Sequence, residues 1–396
     1  MLTLSVLTLF LFCLLRARSI RTIPDYGYLV ISVLSVMVIG FILALWFLAD
    51  SGTATIGEGF YSDEAIYIAS DTLNPFSSAR GLWMALNYFL INHDVFGYFS
   101  LRLVNVFGCC FFIIYVSSIF KDGKVSLFVL LLCPFLYAMT YVNLRDFFIY
   151  TSLLMIIKGV RDKAFIEIAI GVFLVLTLRP LMVFILMGIL ALLLILSNMG
   201  GTYKEKLKYL VLFVPCAAIG FYFGAGYLDQ YLFYMESLQD ADGGEHRTVL
   251  ASDNGFLISF ATFILTPLPT SLLDRLLSEG FTEWGSAHDI LRVINQTTYY
   301  LVAALFMLKI GFGLRVSRIY RIITSFDFHQ RAALLVFFSF AIIYTIHLAG
   351  VGHSRLKIPF QVGLVILFYQ SLKYPLTHRS RPLSSRMGGW HLRKLT

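Results

Sequence analysis

The chain has 396 residues, of which 58% are hydrophobic, 16% aromatic and only 14% charged, with a formal net charge of +8. A soluble domain is about half apolar and about a quarter charged, so this composition excludes a single soluble globular domain and points to a polytopic membrane protein. The basic excess is no sign of nucleic acid: most Lys and Arg lie in short loops or in the C-terminal tail, where they set orientation and meet anionic headgroups.

The first apolar run, 2–16, is followed by Arg16, Arg18 and Arg21. A cleaved signal carries its positive charge before the apolar stretch, so this order predicts a retained helix whose C-terminal end is cytoplasmic. A span needs about 20 apolar residues. On that rule further spans are predicted over 27–49, 99–120, 125–142, 147–160, 164–178, 181–198, 208–225, 297–314, 331–350 and 357–373. The predicted fold class is all-α, a polytopic membrane protein of about eleven transmembrane helices with two long extracytoplasmic loops. Strict alternation gathers Arg16/Arg18/Arg21, Lys121/Lys124, Lys158/Arg161/Lys163, Lys204/Lys206/Lys208, Arg315/Arg318/Arg321 and the tail on one side, the cytoplasm. The N-terminus is then outside and the C-terminus inside. This requires 255–272, with Pro267 and Pro269, to be re-entrant or interfacial rather than spanning. Residues 1–375 form one transmembrane domain and 376–396 a basic cytoplasmic tail.

The outer loops are 50–98 and 226–296. The first has an acidic start, an Asn74-Pro75 turn, and Trp83, Tyr88, Phe89 and Phe96 at spacings that predict an interfacial amphipathic helix. The second is the longest polar region, and loops of that length are usually functional. Its acids over 229–253 lack the spacing of a calcium loop. Cys13, Cys109, Cys110, Cys133 and Cys216 lie inside apolar runs and read as core residues, without metal spacing or a disulfide framework. Asn295-Gln296-Thr297 matches a glycosylation acceptor but abuts a span, and His347 reads as a helix–helix hydrogen bonder.

Charges sit at several outer helix ends where the orientation rule does not place them. They are Asp63 and Glu64; Arg102 beside Asn105; the turn Asn143-Leu144-Arg145-Asp146; Arg179-Pro180; and His353, Arg355 and Lys357 before the last span. A guanidinium binds phosphate oxygens in bidentate fashion. Cations facing two carboxylates would therefore hold a phosphate or diphosphate leaving group beside a base. Each residue also has a plainer role. Asp63 and Glu64 suit a helix cap, Arg145–Asp146 a local pair, and Arg179, Arg355 and Lys357 snorkelling.

In Tyr61-Ser62-Asp63-Glu64-Ala65-Ile66-Tyr67, Ser100-Leu101-Arg102-Leu103-Val104-Asn105, Cys133-Pro134-Phe135 leading to Asn143-Leu144-Arg145-Asp146, Leu178-Arg179-Pro180 and His353-Ser354-Arg355-Leu356-Lys357-Ile358-Pro359, the chain resembles the GT-C superfamily of membrane glycosyltransferases. The likeness is to the polyprenyl-phosphate-sugar-dependent branch that includes protein O-mannosyltransferases and aminoarabinose transferases. It covers most of 55–200 and 345–373. Two spans rather than one precede the acidic loop, and no large soluble domain follows the last span, which departs from the protein-mannosylating members.

The resemblance implies a bacterial inner-membrane enzyme with its site facing the periplasm. Its substrates would be a polyprenyl-phosphate-linked sugar and a glycan or lipid acceptor. Asp63 would be the general base and Glu64 would orient it or the acceptor. Arg102, Arg145, Asp146, Arg179, His353, Arg355 and Lys357 would form the phosphate side. No cofactor is required and a divalent cation is optional. The chief alternative is an undecaprenyl-linked repeat-unit polymerase, which would use His246, Arg247, His288 and Arg292 and make Asp63 dispensable. A lipid-linked oligosaccharide transporter predicts midplane charges and repeated halves, and an assembly subunit predicts no one-sided arginines; the sequence offers neither repeats nor evenly scattered arginines.

Single cysteines placed at 63, 145, 179 and 355 are expected to react with a membrane-impermeant thiol reagent from the periplasmic side only. One position labelled solely from the cytoplasm would break the alternating topology.

Overall fold

A computed structural model describes residues 23–50, 62–69, 71, 73–78, 80–93, 97–179, 182, 256–279, 284–311, 316–348 and 354–373. The predicted spans 2–16, 181–198 (apart from Met182) and 208–225, the acids of 229–253, His246, Arg247, His353 and the tail lie outside these residues.

Among the described residues every regular element is helical. The helices are α1 (Tyr26–Asp50), α2 (Ser62–Ile68), α3 (Gly81–His93), α4 (Gly97–Phe120), α5 (Gly123–Leu132), α6 (Phe135–Ala138), α7 (Asp146–Asp162), α8 (Phe165–Leu178), α9 (Phe256–Leu265), α10 (Pro269–Glu279), α11 (Trp284–Ile310), α12 (Val316–Ser325), α13 (Phe328–Leu348) and α14 (Ile358–Lys373), the last preceded by a 3-10 turn, Arg355–Lys357. Among the described residues four stretches are long and apolar enough to cross a membrane: Tyr26–Trp46, Phe99–Phe120, His288–Ile310 and Phe328–Thr345. The pair α9 and α10, bent by 48° at its break, would make a fifth if it formed one span. The outer face of α1 exposes Ile31, Leu34, Val38, Phe41, Ile42 and Trp46, an apolar surface suited to lipid rather than water.

The core forms where α4 is enclosed by α1, α5 and α7. Cys109, Cys110, Phe112, Ile113 and Val116 on α4 are essentially inaccessible. The cysteines Cys109, Cys110 and Cys133 are buried thiols, in no disulfide among the described residues. The hairpin of α7 and α8 closes on small residues. Gly159 lies against Ile168, and Gly171 lies against Ser152 and Ile156. In lipid, where no hydrophobic force drives helices together, such close approach supplies much of the association.

Sequence and structure differ at three places. The run 125–142 is not one helix: α5 stops at Leu132, Pro134 permits only the one-turn α6, and Met139–Arg145 is irregular. Proline removes a backbone donor and clashes with the preceding turn. The run 297–314 begins much earlier, at Trp284, because His288, Asp289 and Arg292 are on the helix, and His288 and Asp289 are buried. Their polarity mimics a loop in hydropathy. The loop 226–296 therefore contains α9, α10 and the first half of α11. In the first loop a helix, α3, occupies 81–93 and packs against α2, α4 and α8, with Trp83, Asn87 and Leu90 buried and Phe89 exposed; Phe96 lies outside the described residues.

Side-chain contacts divide the charged residues between the two ends of the bundle. At one end Lys124 pairs with Asp25 at 3.0 Å, Lys121 with Asp327 at 3.1 Å and Lys158 with Glu167 at 2.8 Å. The other end holds the acids and arginines singled out in the sequence.

Gly171→Leu is expected to prise α7 from α8, because even an added Cβ would stand 2.8 Å from the Ser152 carbonyl and 2.7 Å from Ile156 Cγ1. Overpacking of this kind costs about 1–3 kcal/mol. A thermal melt in detergent should show a lowered midpoint; an unchanged midpoint would mean that the hairpin is not closely packed there.

Candidate functional site

The floor of the arginine-bearing end is the irregular stretch Met139–Arg145. Irregular backbone inside an apolar bundle must have its polar groups satisfied by neighbours. The carboxylate of Glu64, on α2, accepts the Asn143 backbone N–H at 3.0 Å and Arg102 Nη1 at 2.6 Å. Asn105 Nδ2 donates to the Val142 carbonyl. The Asn143 side chain accepts Trp83 Nε1 at 3.1 Å and donates to Asn87 Oδ1 at 2.5 Å, while Asn87 Nδ2 donates to the Trp83 carbonyl at 2.8 Å. The stretch is thus pinned from α2, α3 and α4. Glu64 and Arg102 are 1% and 3% exposed. Enclosed together, they neutralise one another and brace the floor.

Above the floor, guanidiniums gather from separate elements. Arg80, just before α3, and Arg145, before α7, each lie 5.9 Å from the centre of the buried Tyr67 ring on α2. Arg145 Nη1 also donates to the Leu178 carbonyl at the end of α8, a helix terminus that favours a cation. Burial lowers the Arg145 guanidinium to about 10, with the charges of Arg179 and Arg80 acting in the same direction. It stays protonated at neutral pH. Arg179, the C-cap of α8, donates through Nη1 to the Tyr344 hydroxyl at 2.6 Å and lies 5.1 Å from that ring. Tyr344, on α13, is under the electrostatic influence of Arg179, Asp146, Arg355 and Arg145 together. Arg355 stands on the 3-10 turn before α14.

Asp146 is 5% exposed in the first turn of α7. Its charge acts on Arg145 and Arg179, yet among the described residues it forms no ion pair within contact distance. Tyr150, one turn further along α7, senses Asp146, Tyr344, Arg179 and Arg355. Its hydroxyl is buried and has no hydrogen-bond partner among the described residues.

The far side of the 3-10 turn carries a second polar group. Arg292, on α11, donates through Nε to Ser354 Oγ at 2.6 Å and lies 3.7 Å from Asp289, while His288 Nδ1 is 3.4 Å from Asp289 Oδ1. The His288 ring packs against Phe135 at 5.1 Å and Tyr141 at 6.4 Å, which joins this group to the same irregular stretch. Lys357 is 1% exposed, with its Nζ 3.3 Å from the Ile264 carbonyl and 5.6 Å from the centre of the Phe263 ring.

Of the residues singled out in the sequence, Arg145, Asp146, Arg179 and Arg355 come together, and Glu64 and Arg102 pair below them. Lys357 lies on the other side of the turn, toward Arg292. Asp63 is in the first turn of α2, next to Glu64; its side chain and His353 lie outside the described residues. Sequence reasoning missed Arg80, Tyr67, Tyr150 and Tyr344 as members of the cluster. Only Tyr67 had a signal, the aromatic flank of the acidic motif. No group of three or more His, Cys, Asp or Glu suited to a metal occurs among the described residues. No family model, curated protein or solved structure matches this chain.

Breaking a buried ion pair leaves one charge uncompensated and costs about 3–5 kcal/mol, whereas replacing both partners costs far less. Glu64→Gln is therefore expected to lower the melting midpoint sharply, with Glu64→Gln/Arg102→Met recovering most of the loss. Equal loss in the single and double variants would remove the brace.

Proposed function

We propose that this chain is an integral membrane glycosyltransferase. It takes a sugar from a polyprenyl-phosphate-linked donor and passes it to an envelope glycan or lipid acceptor at the outer face of a bacterial inner membrane. The proposed topology is the eleven-span arrangement, with the arginine-bearing end in the periplasm. The observation that carries the reading is the gathering of Arg80, Arg145, Arg179 and Arg355 around Tyr67 and Tyr344 at one end of an apolar bundle. The unpartnered Tyr150 hydroxyl among them supports it.

In this mechanism the phosphate of the donor sits among the guanidiniums. Asp63 takes the proton of the acceptor hydroxyl. The acceptor oxygen forms its bond to the anomeric carbon from the side opposite the phosphate, with inversion. The bond from anomeric carbon to phosphate oxygen breaks, and the lipid phosphate leaves with the electron pair. Fixed positive groups already aimed at that oxygen stabilise the developing charge without reorganising. The rigid floor supports this by holding the Arg145 backbone, and a lipid tail would lie between the helices.

A second reading, the undecaprenyl-linked repeat-unit polymerase, is favoured by one observation. His288 and Arg292 are not in a free loop but on α11, at the same turn that carries Arg355. A site of two adjoining cationic groups suits two lipid-linked saccharides.

With undecaprenyl-phosphate-linked sugar donors and purified protein in nanodiscs, Asp63→Asn is expected to lower turnover by about 10²–10⁴-fold. Arg179→Gln is expected to lower it by about 10²–10³-fold. Arg292→Ala should matter less. Full activity in Asp63→Asn together with a dead Arg292→Ala protein would replace the transferase with the polymerase.

A further inference from the structure

Helix α7 carries two polar side chains that the packing leaves without partners. Asp146 and Tyr150 are four residues apart, so they lie on one face, one turn from each other. The Tyr150 ring is fixed by its neighbours: its centre is 5.1 Å from that of Phe340, edge-on at 88°, and 6.0 Å from that of Phe112. Phe340 in turn lies 5.9 Å from Tyr344, one turn along α13. Tyr150 and Phe340 thus form the deeper layer of the α7–α13 seam, and Asp146 and Tyr344 the layer nearer the arginines. In that layer Arg179 donates to the Tyr344 hydroxyl at 2.6 Å, and the Asp146 charge acts on Arg145, Arg179, Tyr150 and Tyr344.

Asp146, Tyr150 and Tyr344 are 5%, 1% and 2% exposed. Among the described residues the Asp146 carboxylate makes no hydrogen bond or ion pair, the Tyr150 hydroxyl makes none, and Tyr344 gives its own proton to no acceptor. The dipole of α7 favours an acid in its first turn, but that does not supply the donor that a buried carboxylate oxygen needs. Nor does a phosphate. Guanidiniums only donate and an ionised carboxylate only accepts, so a phosphate satisfies the arginines and is repelled by Asp146. The missing partner is a group that donates to Asp146 and accepts from a phenol. A hydroxyl does both. On a phosphate-linked sugar, hydroxyls lie within a few bonds of the phosphate.

We propose that Asp146, Tyr150 and Tyr344 form a subsite for a hydroxyl of the donor's sugar, so that Asp146 reads the sugar and not the phosphate. The subsite rests on the reading of the arginine cluster as a phosphate site. Full-length protein in detergent is titrated with undecaprenyl methyl phosphate, a diester without a sugar, and with the glucosyl, mannosyl, galactosyl and 2-amino-2-deoxyglucosyl phosphodiesters of the same lipid; bound lipid is counted by native mass spectrometry. At least one of the three hydroxyl-bearing sugar esters should bind about tenfold tighter than the methyl ester. Asp146→Ala should remove that gain and leave the methyl ester bound as well or better. Tyr150→Phe should reduce the gain about fivefold without lowering the melting midpoint, because it deletes a hydroxyl that has no partner in the fold. Several results would overturn the subsite while the phosphate site stands: no sugar ester preferred over the methyl ester, which leaves only water there; a preference confined to the amino sugar, which marks an ammonium; equal loss of sugar and methyl esters in Asp146→Ala, which marks support of the arginines; or an unchanged gain in Tyr150→Phe. Methyl ester binding that is absent, or indifferent to Arg145→Gln/Arg179→Gln, would overturn both.

Discussion

The structure depends on one constraint: Met139–Arg145 is irregular chain enclosed in an apolar bundle, and its backbone polar groups need partners that lipid cannot supply. Asn143 N–H finds Glu64, the Val142 carbonyl finds Asn105, and Leu144 N–H turns back to the Val142 carbonyl at 2.9 Å. Glu64 can serve as a buried acceptor only because Arg102 neutralises it. Removing Arg102 would leave the Glu64 charge uncompensated, and removing Glu64 would leave the Arg102 charge uncompensated beside an unpaired Asn143 amide. The pair adds little as attraction alone, since desolvating two charges offsets most of the gain. Its value lies in specifying one path for the chain.

That path sets the position of the cations above it. Arg145 is the residue where the irregular stretch becomes α7, so its backbone is fixed by the floor and its side chain by Tyr67 and the end of α8. Arg179 is fixed in turn by Tyr344. Guanidiniums held on aromatic rings and helix termini keep their charge in a desolvated place and lose little rotamer freedom when an anion arrives. The same features would serve a phosphate whether one lipid-linked sugar or two occupy the site.

Much of the helical frame was legible in hydropathy, because α1, α4, α13 and α14 are long apolar stretches bounded by charge. What hydropathy could not register was polar residues buried by pairing. His288 and Asp289 read as loop because their side chains are polar, yet they lie inside α11, and the 125–142 run read as one span because a single proline weighs little in a window average. The sidedness of Arg145, Arg179 and Arg355 was visible from alternation alone. The partnership of Glu64 with Arg102, 38 residues apart, was not. Neither was the part of Tyr150 and Tyr344, since tyrosines in apolar helices are common and only proximity in three dimensions distinguishes these.

The two ends of the bundle are chemically different. One gathers arginines over a rigid polar floor, and the other carries lysines paired with carboxylates. The most direct test of the account is photocrosslinking with a polyprenyl phosphate that carries a diazirine next to its phosphate, followed by peptide mapping. Adducts on the peptides that contain Tyr150, Tyr344 and Arg355 are the predicted result. Adducts confined to the opposite end, or unchanged when Arg145 and Arg179 are both replaced by glutamine, would contradict it.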